Sequence, residues 1–116
     1  MESGRQYYRI LDRITKAAEA ESCAILRSLP KDFRDGVTKV AVRFEDKPTP
    51  KMIEKGLSAE AFSVADRDAN EIVVFLMNLF DRYGKEPGDF RRQFRKTLMG
   101  ELADWAGIDV DLDDLP

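Results

Sequence analysis

A chain of 116 residues is the size of one domain and leaves little room for a second core. Hydrophobic residues make up 43% and charged residues 35%, a soluble globular balance, and the net charge of −3 argues against a general nucleic-acid binder. There is no histidine and a single cysteine, Cys23, which excludes a tetrahedral nitrogen or sulfur zinc site within one chain, every Ser-His-Asp or Cys-His arrangement and any internal disulfide.

The opening "MESGRQYYRILDR" has no apolar signal region, and no run approaches the roughly 18 apolar residues needed to span a bilayer. A cytoplasmic protein is expected. From about Arg5 to Arg27, Tyr7, Leu11, Ile14, Ala18 and Ile25 recur at helical spacing above a wet face of Arg, Asp, Lys and Glu. This predicts a long amphipathic helix, with Cys23 as a small buried or half-buried side chain on it. Pro30 in "SLP" ends the helix, because the residue before a proline is disfavoured in helical geometry. "KDFRDG" then reads as a turn.

"VTKVAVRFED" alternates: Val40, Val42 and Phe44 point one way, Lys39 and Arg43 the other, as in a half-buried strand. "DKPTP" breaks it. A short helical turn is expected around Met52 and a strand at Ala61–Ala65, with the strand order over 50–75 left open. "EIVVFLMNLFDRYG" fits either a buried strand running into a helix or one long helix. Asp89 is the expected N-cap of a last helix whose stripe is Phe90, Phe94, Leu98, Leu102 and Trp105, and Gly107 is its expected left-handed terminator. The fold class is α+β, one domain over 1–116, with an acidic tail over 108–116.

The order "ILRSLPKDF", "VAVRFEDKP" and "FRRQFRKTLMGELADWAGIDVDLDDL" resembles the minimal zincin-like metallopeptidase family of bacteria over nearly the whole chain. That family carries H-E-x-x-H-x-x-G on its last helix, followed by an aspartate. The resemblance implies a zincin-like fold and places the general base at Glu101 and the glycine at Gly107. It puts the two histidine positions at Gly100 and Asp104 and the later aspartate at Val110, so all three ligand positions depart from the pattern. The middle stretch "GLSAEAFSVAD" also departs from the family's usual strand.

A zincin needs two imidazoles one helical turn apart to hold the ion, and the glutamate between them takes a proton from metal-bound water. Glycine offers no ligand. Glu101 is then a relic of a catalytic base or a plain helix-surface carboxylate. Gly100, costing about 1 kcal/mol against alanine inside a helix, marks either a cleft or drift. Glu101, Asp104, Asp109 and Asp111 offer oxygen donors for a divalent cation, although their spacing matches no EF-hand loop.

Arg91, Arg92, Arg95 and Lys96 form a basic run that precedes an acidic half, opposite to the helix-dipole preference, which suggests a role for these charges outside the helix. The leading expectation is a catalytically inactive zincin-like domain, without metal or cofactor, with a vestigial cleft at Gly100, Glu101, Asp104, Gly107 and Val110. It acts by binding a protein partner of unknown identity, for which the basic run is the candidate surface. One rival is a hydrolase with a non-zinc metal held by carboxylates. Another is a nucleic-acid accessory protein using the Arg91 to Lys96 face.

Overall fold

The structure, a computed structural model, describes residues 2–109. Within them the chain runs α1 (Glu2–Ser28), α2 (Lys31–Gly36), β1 (Ala41–Glu45), α3 (Pro50–Glu54), β2 (Ser63–Asp66), β3 (Glu71–Phe75), α4 (Leu76–Tyr83) and α5 (Pro87–Ala106). The architecture is α+β, with helices on a three-stranded mixed sheet of order β1-β3-β2. β1 is parallel to β3, and β2 is antiparallel to it through a tight hairpin in which Asn70 takes a positive φ of 54°.

α1 buries Ile14, Ala18, Ser22 and Ile25, spaced by three or four residues as one helical face requires, and Leu29 just past its end continues the buried face. Cys23 is exposed, contrary to expectation, because one step past the inward-facing Ser22 turns it about 100° onto the wet side. "KDFRDG" is the short helix α2 rather than a turn, held by the buried Phe33. Gly36 closes it where the chain crosses the end of α5, and a Cβ there would stand 2.9 Å from the Cβ of Ala106.

α3 starts on Thr49, whose hydroxyl accepts a bond from the Met52 amide at 3.2 Å, with Pro50 at the first helical position. The ambiguous segment resolves into β3 running directly into α4. β-branched Ile72, Val73 and Val74 occupy the central strand, and Ile72 through Leu79 are all buried. Asn78 sits in that buried run because its amide donates to the carbonyls of Ala59 and Ala61 at 2.9 and 2.8 Å.

α5 begins earlier than Asp89. Pro87 takes the first turn, where a missing N–H costs nothing, with Glu86 as N-cap, and Asp89 falls inside the first turn. Gly107 ends the helix at φ 70°, and the Ile108 amide reaches back to the Ala103 carbonyl at 2.9 Å.

The core lies between the inner face of the sheet and the helices. Val42, Phe44, Ile72 and Val74 meet α5, whose Phe90, Phe94, Leu98 and Leu102 are buried. Phe94 takes Phe44 edge-on at 5.8 Å and stacks with Phe90 at 6.4 Å. At the other end of α1, the Tyr7 hydroxyl donates to Asp46 at 2.7 Å.

Two stability predictions come from this packing. Leu98→Ala and Leu102→Ala should each cost about 2–5 kcal/mol in chemical denaturation, as emptied core leucine sites do. Ser22→Ala should be neutral or stabilising, because the Ser22 hydroxyl is buried with no hydrogen-bond partner among the described residues.

The Tyr7–Asp46 bond carries a pH signature. Burial first, and then Asp46, push the Tyr7 phenol up to about 12, while the bond from Tyr7 holds the Asp46 carboxyl below its usual range. Asp46 is depressed, so its contribution is present above about pH 4 and is lost as pH falls through its folded value; Tyr7 is raised, so its contribution is present below about pH 10 and is lost as pH rises further. Tyr7→Phe should therefore cost about 1 kcal/mol or less between those limits, and the gap between variant and parent should close at both extremes in urea melts.

Candidate functional site

The region singled out by the sequence lies along α5 opposite strand β2. Four of its five positions, Gly100, Glu101, Asp104 and Gly107, are described; Val110 lies outside the described residues. Glu101 is half-buried and its Oε1 accepts a hydrogen bond from the Ser63 hydroxyl of β2 at 3.0 Å. Ser63 points to α5 because it shares the inner face of the sheet with its register partner Val74. The carboxylate at the base position is thus engaged by the neighbouring strand.

Asp104 is exposed, one turn further along. Its carbonyl and that of Trp105 accept long bonds from Arg67, each 3.4 Å, and the Arg67 guanidinium lies 4.6 Å from the centre of the Trp105 ring. A cation at a helix C-terminus is favourable, and no basic residue occupies the last turn of α5 itself, so Arg67 of the β2–β3 hairpin supplies it. Trp105, expected in the core, is half-buried beneath this cation.

Among the described residues no group of three or more His, Cys, Asp or Glu side chains is placed to hold a metal ion. Glu101, Asp104 and Asp109 therefore do not converge on one point, and Asp111 lies outside the described residues. Two of these carboxylates share a helix; Asp109 is past the Gly107 turn and exposed, which separates it from them.

The arginines of the basic run are paired within the chain. Arg95 bonds Glu21 of α1 at 3.0 Å, Arg91 lies 3.9 Å from the same carboxylate, and Arg92 pairs with Asp89 at 2.7 Å. Glu21 is the less exposed partner, with 12% of its side chain accessible. Arg91 and Arg95 reach outside their helix to α1 of the same chain, whereas Arg92 pairs within α5. Lys96 is half-buried and forms no ion pair among the described residues.

A second feature was not singled out in the sequence. On the outer face of the sheet a groove of about 760 Å³ lies between α3 and the β2–β3 hairpin, floored by Val73 and Val64 and edged by Met52 and Leu57. The alternation in β1 already put Arg43 on this face. Apart from Thr49, Glu71 and Val73, the rest of the groove falls in 50–70, where neither periodicity was strong.

The chain matches no protein-family model, no curated protein and no solved structure.

A double-mutant cycle tests the Ser63–Glu101 contact. Ser63→Ala and Glu101→Ala should each cost about 1 kcal/mol, with the double variant costing little more than either. Arg67→Ala should shift the emission of Trp105, the single tryptophan, without loss of fold. Additive costs in the first experiment, or an unchanged spectrum in the second, would contradict the placement of the hairpin against α5.

Proposed function

We propose that this protein is a catalytically inactive zincin-like domain that acts by binding a protein partner. The observation that carries the reading is the state of Glu101. At the position where the resembled family keeps its general base, the carboxylate accepts the Ser63 hydroxyl, and its neighbours at the ligand positions are Gly100 and Asp104. Without an ion to acidify a water, a carboxylate near neutral pH has no activated nucleophile to serve.

The carboxylate-metal hydrolase is less well supported, since Glu101, Asp104 and Asp109 form no common site among the described residues. The nucleic-acid reading is weakened in its turn. Arg91 and Arg92 are exposed, but with Arg95 they are already engaged by Glu21 and Asp89, carboxylates that a phosphate would have to displace. Binding is the activity compatible with a packed core and with no cluster of metal-ligating side chains among the described residues.

The test is an assay of tag-free protein for metal content, and for peptide hydrolysis in the presence of zinc, manganese, magnesium or calcium. The expected result is no stoichiometric metal and no turnover. Turnover abolished by Glu101→Gln would overturn the inactive reading and restore Glu101 as a working base.

A further inference from the structure

The helices that build the core cover the inner face of the sheet; on the outer face α3 stands as a ridge beside the open groove. The strand register puts Arg43, Val73 and Val64 side by side on that outer face, with Glu71 and Asp66 beyond them. The charges on the floor are already satisfied. Arg43 pairs with Glu71 at 3.3 Å and with Glu45 beside it, and Arg67 is turned to the carbonyls of α5.

Four charges that line the groove remain, and they are segregated. Lys51 and Lys55, one helical turn apart, stand on the α3 side, and Asp66 and Asp68 stand on the hairpin side. All four are exposed, and among the described residues none enters an ion pair. Glu54, the other charge of α3, does not line the groove. The ridge also presents Ile53, a large apolar side chain left 42% exposed.

A partner of a single sign would be attracted to one rim and repelled by the other. The surface is matched by one that carries a basic ridge beside an acidic wall, and this chain carries that surface itself. A two-fold axis between ridge and groove sets the ridge of each molecule in the groove of the other, the self-complementary arrangement of an isologous contact. We propose that the outer face of the sheet pairs two copies of this chain, with α3 of each copy entering the groove of the other so that Lys51 and Lys55 meet the partner's Asp66 and the partner's Asp68. This pairing is independent of the zincin-like reading and uses a different face from Glu101.

Sedimentation equilibrium on the full chain tests it, with circular dichroism confirming that each variant is folded. The parent should show a monomer–dimer equilibrium at concentrations up to about 1 mM, weakened by added salt because exposed charge pairs are screened. The charge reversals Lys51→Glu with Lys55→Glu, and Asp66→Lys with Asp68→Lys, should each weaken association at least about tenfold, since like charges then face each other. Mixed in equal amounts, the two variants should form a heterodimer about as tight as the parent dimer.

Asp66 also accepts the Ala69 amide at 3.2 Å within the hairpin, so Lys55→Glu and Asp68→Lys provide a milder pair if the double reversal unfolds. A parent that stays monomeric over the whole range overturns the proposal. So does a folded reversal variant that associates as the parent does, or a mixture of folded variants that fails to associate.

Discussion

The burial of one stripe along α5 is the constraint on which the rest of the molecule depends. Phe90, Phe94, Leu98 and Leu102 recur at four-residue intervals, so they lie on one side of a twenty-residue helix and reach every layer of the core. α5 packs against α1, α2, α4, β2 and β3. The apolar side chains of the inner sheet face, and the buried face of α1, find their cover on or beside this helix. Remove its stripe and both layers lose their most extensive helix contact.

The polar contacts follow from that orientation. With the stripe turned inward, Glu101 and the end of the helix are carried to the edge strand and hairpin, where Ser63 and Arg67 receive them. The arginines at the other end are carried to α1, where Glu21 bridges Arg91 and Arg95. The helix has basic residues near its N-terminus and acidic ones near its C-terminus, an arrangement the macrodipole disfavours. Each end is compensated by a neighbour of opposite charge: Glu21 from α1 at one and Arg67 from the hairpin at the other. The arginines of α5 that looked available for outside partners are therefore engaged within the chain, whereas Lys51, Lys55, Asp66 and Asp68 of the outer groove enter no ion pair among the described residues.

Much of the fold was legible because strong periodicity leaves few solutions. The 3.6-residue spacing of α1 and α5, the alternation in β1 and the glycine at 107 each specify one geometry. The run from Ile72 was ambiguous because a strand covered on both faces loses its alternation, and the structure divides it between β3 and α4. The start of α5 was misplaced by preferring the side-chain cap of Asp89 over the backbone restraint of Pro87. Of the candidate site, the positions on α5 could be located from spacing, while Ser63 and Arg67 could not. They lie 38 residues before Glu101 and Trp105 in the chain, and only the β2–β3 hairpin brings them there. Long-range polar partners of this kind leave no periodic trace.

If α5 is the element that every other layer requires, it cannot open without unfolding the whole domain. Native-state hydrogen exchange across a denaturant series measures this directly. The account predicts that the amides of Phe94, Leu98 and Leu102 exchange only with the free energy and denaturant dependence of global unfolding. Exchange of these amides through a smaller, denaturant-insensitive opening, while α1 and β3 stay protected, would show that the core stands without α5 and would contradict the account.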